Sequence, residues 1–341
     1  MTSSTSNSEH FPWSRVWSLS LLLVGLLGLA WECSVRWAGL GPDYADNRAL
    51  WLHARQQRER DGPRAVALLG ASRMQRAIDV PRLSEALSRP VAQLAVEGSS
   101  AMPVLEDLAS DPRFHGTVIY SVAPAFFFNR KLKVLEQSLQ AQWVHQFRRQ
   151  SRIRRLEQDL LLRAQGKLAL RSPDAAMSRV IPALWQDGTL PHADHKATRL
   201  DRSVRIDYER MPGRADQQSI VDLYRKNCEP YEDEEYRAVL HYFATLVKLL
   251  EQKGGTLILL RLPSEGTVLQ IEHELFPDDR FWNRLVQASG AQSIHFADHP
   301  ELMGFLSRDG SHVDSSKASE FTVALAGVLQ RRGLTSASAE P

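Results

Sequence analysis

Cysteine is scarce in this chain, since Cys33 and Cys228 are the only two in 341 residues. Two cysteines cannot form a disulfide framework or a cysteine zinc site, and they leave the redox compartment open. The chain also lacks an excess of either charge, with 42 Lys and Arg against 40 Asp and Glu. That balance gives no global attraction for nucleic acid, so no nucleic-acid partner is predicted. The composition further excludes a disordered chain, a collagen-like chain and a polytopic membrane protein.

An uncharged apolar run lies near the N-terminus, from Val16 to Trp31. Its 16 residues fall slightly short of the roughly 20 that cross a bilayer as a straight helix, but Trp13 and Trp37 flank it as interfacial anchors do. The pattern predicts one transmembrane anchor over residues 13–37. A cleaved signal peptide is the rival interpretation, although no small-x-small cleavage site follows the run. A buried core helix is disfavoured because the run is apolar on all faces.

The charges around the anchor leave its orientation open. Arg15 precedes the run, whereas six arginines follow it, at positions 36, 48, 55, 58, 60 and 64. The positive-inside rule therefore favours a cytoplasmic C-terminal domain, but long domains translocate largely regardless of such charge. The orientation of the anchor therefore follows from the function of the domain and not from these charges.

The rest of the chain alternates short apolar runs with helical patterns. Strands are predicted over 65–69, 91–96, 117–122, 256–262 and 291–297, and helices over 49–60, 79–87, 102–110, 236–252 and 315–332. This alternation predicts parallel pairing and right-handed crossovers, and therefore a three-layer α/β/α sandwich with a mainly parallel sheet. Ligands of such sheets lie at the carboxyl ends of the strands.

The predicted organisation has five parts and one insertion. The parts are a polar tail (1–12), the anchor (13–37), a connector (38–63), the main domain (64–334) and a disordered tail (335–341). Residues 129–235 interrupt the alternation and are predicted to form a helical insertion. Residues 130–171 hold eleven basic and three acidic residues, and 201–235 hold ten acidic and six basic ones. These blocks indicate solvated helix faces packed together or, alternatively, a lid or a docking surface for an anionic polymer or lipid headgroups.

A serine follows the first predicted strand, in the turn Gly70-Ala71-Ser72-Arg73. A hydroxyl at that position is exposed at the sheet edge, and nearby amides at a helix N-terminus can stabilise an oxyanion. Small residues and serine are common in strand-to-helix turns, so this turn alone does not establish a nucleophile.

The second chemical pattern is Asp309-Gly310-Ser311-His312, between the last strand and the last helix. Asp and His three residues apart can pair a carboxylate with one imidazole nitrogen and leave the other facing outward. A nucleophilic serine needs such a base. A capping Asp beside a surface His would give the same spacing. The histidines of 192–195 and 295–299 lack a zinc-motif spacing, so neither a metal nor a cofactor is predicted.

Together these blocks resemble the SGNH (GDSL-like) hydrolase superfamily, and more closely the membrane-anchored SGNH-type proteins of cell-envelope polymer acylation. Ser72 matches the first block, Gly98 in Leu-Ala-Val-Glu-Gly-Ser-Ser matches the glycine block, and Asp309 and His312 match the Asp-x-x-His block. The resemblance covers about residues 65–123 and 256–332. It implies Ser72, Asp309 and His312 as catalytic residues, with an oxyanion hole formed by backbone N–H groups of Ser72 or Arg73 and of Gly98.

One sequence block of the family is absent from this chain. A Gly-x-Asn-Asp motif should follow the third strand, where the chain has Ser121-Val122-Ala123-Pro124-Ala125, and Asn129 lies too far along to be equivalent. A missing side-chain donor can cost ~3 kcal/mol of transition-state stabilisation. Either another group substitutes, or the enzyme is slow, or the site is vestigial.

Two arginines are candidate substrate-binding residues. Arg73, beside the predicted nucleophile, can hold a phosphate or carboxylate of the substrate, or it can pair with Glu97 or Asp79. Arg261, in Arg261-Leu262-Pro263 after the penultimate strand, is similar to what anchored members of the family show.

The resemblance implies a membrane-anchored serine O-acyltransferase or carbohydrate esterase. It would act on O-acyl groups, chiefly O-acetyl, of an exported cell-envelope polysaccharide. Its expected location is the bacterial inner membrane, single-pass, with a periplasmic domain and a multi-span membrane acyltransferase as a further partner. The alternative is a non-catalytic, membrane-tethered scaffold or polymer-binding subunit. A third interpretation, a thioesterase or lipase, predicts a wide apolar cleft near Phe126 to Phe128.

Overall fold

The computed structural model describes residues 13–60, 65–132, 138–189, 196–208 and 216–333. The chain divides into two compact units, one of residues 1–43 and 164–194 and the other of residues 44–163 and 195–341. The predicted polar tail (1–12) and disordered tail (335–341) lie outside the described residues.

The secondary structure alternates over much of its length. The helices are α1 (Trp13–Trp37), α2 (Arg48–Arg60), α3 (Ser72–Ala77), α4 (Val80–Leu87), α5 (Met102–Ser110), α6 (Pro124–Phe127), α7 (Leu139–Arg149), α8 (Arg152–Gln165), α9 (Met177–Asp187), α10 (Gln217–Asn227), α11 (Asp233–Glu251), α12 (Gly266–Leu275), α13 (Trp282–Ser289) and α14 (Ala318–Arg331). The strands are β1 (Val66–Leu69), β2 (Val91–Gln93), β3 (Thr117–Ser121), β4 (Lys196–Thr198), β5 (Val204–Ile206), β6 (Thr256–Arg261) and β7 (Gln292–His295).

In the first unit, α1 is long and apolar enough to cross a membrane, as predicted for residues 13–37. Its 25 residues span about 37 Å at the α-helical rise. Most of its leucines are exposed to solvent, including Leu21 and Leu23. A helix that is apolar all round and uncovered by protein has the character of a membrane span.

In the second unit, five parallel strands form a sheet in the order β2-β1-β3-β6-β7. The register places Val66 opposite both Val91 and Thr117, and Ile258 opposite Gln292. Helices flank this sheet, which confirms a mixed α/β fold with a mainly parallel sheet. The central strands are short and apolar because both of their faces are covered.

Alternate strand residues enter different buried clusters. Ala67 and Leu69 pack in one cluster with Phe243 of α11. Val66 and Leu68 pack in another with Phe321 of α14. This period of two fixes which way each strand faces. It also brings the carboxyl ends of β1, β2, β3 and β6 to one edge, where the predicted chemical residues follow.

The segment predicted as a helical insertion holds more than helices. Helices α7 to α10 lie within residues 129–235, but so does an antiparallel pair, β4 and β5, in which Lys196 lies opposite Ile206. The sequence pattern did not predict this pair. The pattern also missed α12 and α13 between β6 and β7. Both features contribute residues near the candidate site.

Candidate active site

The turn after β1 is shaped by Gly70. Its φ is +154°, and a Cβ at this position would lie 2.9 Å from the Cβ atoms of Met74 and Ser121. A side chain is therefore excluded both by the backbone conformation and by space. The tight turn lets α3 begin two residues later at Ser72, whose side chain is half-buried at the sheet edge.

In the loop before α14, both carboxylate oxygens of Asp309 are hydrogen-bonded. Oδ1 of Asp309 accepts hydrogen bonds from the amides of Ser311 and His312 and from the hydroxyl of Ser307, each at 2.9 Å. Oδ2 of Asp309 lies 2.8 Å from Nδ1 of His312. The carboxylate thus fixes the imidazole orientation, with Nδ1–H donating to Asp309 and Nε2 left as the acceptor.

The structure brings the three predicted catalytic residues together within the second unit. Nε2 of His312 lies 2.9 Å from Oγ of Ser72, although the two residues are 240 positions apart in the chain. Ser72, His312 and Asp309 therefore form a continuous hydrogen-bonded chain. This is the arrangement in which an imidazole can remove the hydroxyl proton of a serine while a carboxylate stabilises the imidazolium.

Nearby charges and burial determine the protonation states of His312 and Asp309. Burial lowers the pKa of the His312 imidazole, Arg76 lowers it further, and Asp309 opposes both effects. Burial raises the pKa of the Asp309 carboxyl, but the hydrogen bond and charge of His312 hold it well below its ordinary value. At neutral pH His312 is therefore neutral and Asp309 ionised, as a serine–histidine mechanism requires.

We expect the acidic limb of the kcat/KM profile for a small acetyl ester to have its midpoint below the ordinary histidine value of 6.5. Catalysis needs the neutral imidazole, and a lowered pKa preserves that form to lower pH. Arg76→Gln removes a positive charge near the ring, so the pKa of His312 rises and the limb moves to higher pH. Arg82→Gln, on the exposed face of α4, is the matched control and leaves the midpoint unchanged. A wild-type midpoint at or above 6.5 contradicts this interpretation.

Arg73 and Arg261 both form ion pairs with one buried carboxylate, that of Glu272. Arg73, 5% exposed, pairs with Glu272 and donates from Nε to Oγ of Ser311 at 3.1 Å. Arg261, 2% exposed, donates to the other oxygen of Glu272 at 2.7 Å. The partner of Arg73 is thus neither Glu97 nor Asp79, the two that the sequence suggested. Both guanidinium groups face the protein interior, and a contact with substrate stays a prediction for each.

Glu272 is the residue of this region that the sequence analysis missed. It lies on α12, is fully buried, and also accepts from the hydroxyls of Ser264 (2.7 Å) and Tyr224. Burial raises its pKa, but Arg73 and Arg261 outweigh that effect and keep the carboxyl ionised. The cluster connects α3, β6, α10 and α12 directly behind the turn that carries Ser72.

The predicted oxyanion groups lie on neighbouring turns. The amide of Val96 donates to the carbonyl of Gly70 at 3.1 Å, so the chain leaves β1 and β2 side by side. Gly98, exposed and with a φ of +68°, follows on the second turn. The amide of Arg73 lies in the first turn of α3, where helical amides have no intrahelical acceptor. The roles of Gly98 and Arg73 as oxyanion donors stay predictions.

Asn129 does not occupy the place of the missing asparagine. Its Oδ1 accepts from the amides of Lys131 (3.1 Å) and Glu229 (3.0 Å), and its Nδ2 donates to the carbonyl of Asn227 (2.9 Å). All of these partners are backbone groups that join the loop after α6 to the end of α10. Asn129 thus has a structural position in the second unit.

Two residues of the interrupting segment, Lys196 and Tyr208, contact the charged pair Arg76–Glu97 near the histidine. Arg76 of α3 forms an ion pair with Glu97, and its Nη1 lies 3.5 Å from the hydroxyl of Tyr208. Nζ of Lys196, on β4, lies 2.8 Å from Glu97. Burial raises the pKa of Glu97, but Arg76 and Lys196 outweigh it and lower that pKa to about 2. The β4–β5 segment therefore supplies one of the two positive charges that keep Glu97 ionised.

A narrow cavity adjoins the turn that precedes Ser72. Its volume is about 10 Å³, which is room for about one water molecule. Its lining residues are Gly70, Ala71, Ser99, Ala101, Tyr120, Ser121, Ala123, Phe126 and Phe127. Phe127 and Phe128 are core residues that pack on Phe243 and Tyr236 respectively. The wide apolar cleft that a lipase requires is therefore not built around these two rings.

Within the described residues, no group of three or more His, Cys, Asp or Glu side chains is placed to hold a metal ion. His192 and His195 lie outside the described part of the chain. In comparisons with known proteins, neither a family model nor a curated protein matches the chain. The function proposed below therefore depends on the geometry of the site.

Proposed function

We propose that the chain is a membrane-anchored serine acyltransferase or esterase acting on O-acyl groups, chiefly O-acetyl, of an exported cell-envelope polysaccharide. The observation that carries this proposal is the pair of contacts made by His312, 2.9 Å to Ser72 Oγ and 2.8 Å to Asp309 Oδ2. Capping or surface roles for these residues do not require the serine hydroxyl to meet the second imidazole nitrogen.

In the proposed reaction, Ser72 Oγ attacks the carbonyl carbon of the acyl ester while His312 Nε2 takes the hydroxyl proton. Asp309 stabilises the resulting imidazolium. Backbone N–H groups of Ser72 or Arg73 and of Gly98 hold the oxyanion. The imidazolium then protonates the leaving alkoxide, and a sugar hydroxyl or water attacks the acyl-enzyme in the second half-reaction.

The acyl group is small in this proposal. The cavity beside the Ser72 turn is narrow, and its wall includes Ala71, Ala101 and Ala123. Space of this size fits the methyl group of an acetyl ester far better than a lipid chain. This favours an acetyl ester over the thioesterase or lipase interpretation.

The finer fold assignment is part of the same proposal. The strand order of the sheet corresponds to the doubly wound order known from flavodoxin-like proteins. Its two buried clusters, with helices on each, support a three-layer α/β/α sandwich of the SGNH type. Helix α1 would hold this domain at the periplasmic face of the inner membrane, near an emerging polymer and a multi-span acyltransferase. Tethering raises the local concentration of such a substrate.

A serine-directed fluorophosphonate probe tests the mechanism. We expect the full chain in detergent to be labelled and Ser72→Ala to be unlabelled, because the probe reacts with a serine that a base has activated. Ser99→Ala, which removes a buried hydroxyl from the neighbouring cavity, is the matched control and keeps its labelling. Equal labelling of wild type and Ser72→Ala would remove Ser72 as the nucleophile.

A second candidate function is supported by the departure in the family pattern. No asparagine follows β3 closely, and Asn129 is bound to backbone groups elsewhere. A chain that lacks this oxyanion donor can serve as a non-catalytic scaffold or polymer-binding subunit. Turnover of a small acetyl ester, assayed with water and with a sugar as acceptor, separates the two functions, since a scaffold leaves the ester intact at every protein concentration.

A further inference from the structure

Helix α9 exposes an apolar stripe. Met177, Ile181, Leu184 and Trp185 follow the helical spacing i, i+4, i+7 and i+8, so they share one face. They are 59%, 58%, 46% and 89% exposed. Val180, on the adjoining face, is buried and attaches the helix to the rest of its unit. An isolated chain in water gains nothing from such a stripe, and a stripe of this kind marks a surface that something apolar covers.

Residues 167–170, which shortly precede α9, are bound to Glu32 and Arg36 near the end of α1. The carboxylate of Glu32 accepts hydrogen bonds from the amides of Ala169 and Leu170, at 3.0 and 2.8 Å. Arg36 donates to the carbonyl of Lys167 at 2.9 Å. Val35 is buried in the same small cluster as Ala169. All these contacts belong to the first unit and lie just beyond Trp31, where the uncharged run ends.

The end of α1, from Glu32 to Trp37, has the composition of a membrane–water boundary. The first charges of α1 after its apolar run are Glu32 and Arg36, with Trp31 and Trp37 beside them. Tryptophan concentrates at this boundary because its ring is apolar and its N–H is polar. Trp185 lies on α9, the helix that follows the residues bound to Glu32 and Arg36. Lys167 and Arg171, both exposed, place positive charge where anionic headgroups lie.

From these observations we propose that α9 lies in the plane of the bilayer interface, its apolar stripe inserted among the lipids of the same leaflet that α1 leaves. The partner is a lipid surface because residues 167–170, which shortly precede α9, are hydrogen-bonded to the end of the candidate span. The inference rests on the membrane anchor of the proposed function and does not depend on catalysis.

Site-directed spin labelling of the full chain tests this arrangement. In a background of Cys33→Ser and Cys228→Ser, single labels are attached at Trp185→Cys, Gln186→Cys and Leu22→Cys. The protein is reconstituted into vesicles of phosphatidylethanolamine and phosphatidylglycerol. Collision with oxygen, which concentrates in lipid, and with a water-soluble nickel chelate is then measured by electron paramagnetic resonance. Gln186 is the matched control because it is exposed but lies about 100° around the helix from Trp185.

The expected result is more collision with oxygen than with nickel at 185, corresponding to a depth of about 5–10 Å, and the reverse at 186. A label at 185 that collides mainly with nickel, while the label at 22 is in lipid, overturns the inference and leaves the anchor intact. A label at 185 shielded from both reagents indicates protein contact and also overturns it. A water-exposed label at 22 removes the anchor and this inference together.

Discussion

Replacement of His312 by Ala is expected to lower kcat for a small acetyl ester by roughly four to six orders of magnitude. The imidazole is the only group shown within hydrogen-bond distance of Ser72 Oγ among the described residues, at 2.9 Å. Without it the hydroxyl keeps its proton, and neither attack nor expulsion of the leaving alkoxide is assisted. The measurement is steady-state turnover of the purified full chain in detergent, with folding checked by circular dichroism.

Two further variants make this prediction specific. His241→Ala, the same substitution on an exposed position of α11, is expected to leave kcat unchanged. The double variant Ser72→Ala/His312→Ala is expected to be no slower than either single variant, because residues that act as one unit are strongly non-additive. If His312→Ala keeps a tenth of the wild-type rate, or if the two losses multiply, the residues do not work as one catalytic chain.

The contacts among Ser72, His312 and Asp309 were predicted because local spacing, sheet geometry and the resemblance to the SGNH blocks agree. Gly70 before Ser72 indicates a tight strand-to-helix turn, and the spacing of Asp309 and His312 suits a carboxylate–imidazole pair. A parallel sheet then brings segments that follow its strands to one edge, however far apart they are in the chain. The sequence therefore contained enough to place residues 240 positions apart in one site.

The electrostatic support of the site was not predictable in the same way. The sequence left Arg73 to bind substrate or to pair with Glu97 or Asp79. Its partner in the structure is Glu272, 199 positions away on a helix that the pattern missed. Nothing in a single sequence marks which carboxylate a buried guanidinium will meet. The pair β4 and β5 was missed because each strand has only three residues, too few to show a period of two.

Strand β4 and helix α12, which the sequence did not predict, contribute charged residues near the candidate site. Lys196 of β4 helps to keep Glu97 ionised, Glu97 interacts with His312, and Arg76 lowers the pKa of His312. The sequence thus identified which residues could react, while the environment that sets their protonation comes from long-range packing. Such environments follow from the folded arrangement and not from any local pattern.

Replacement of Glu272 by Ala is expected to destabilise the second unit by about 3–5 kcal/mol, because it leaves Arg73 and Arg261 buried without a counter-charge. The measurement is urea unfolding of the full chain in detergent at neutral pH. The pKa of Glu272 in the folded protein lies well below its ordinary value of 4.5. Its stabilising contribution is therefore complete above pH 4.5, and it falls as the pH drops below that value toward the folded-state pKa.

Glu85→Ala is the matched control for this loss. Glu85 pairs with Arg82 at 2.9 Å on the exposed face of α4, and such a surface pair is worth under about 0.5 kcal/mol. The triple variant Arg73→Met/Arg261→Met/Glu272→Leu is expected to regain part of the stability that Glu272→Ala loses, because it buries no unpaired charge. If Glu272→Ala costs no more than Glu85→Ala, the buried cluster does not hold α3 and the Ser72 turn in place.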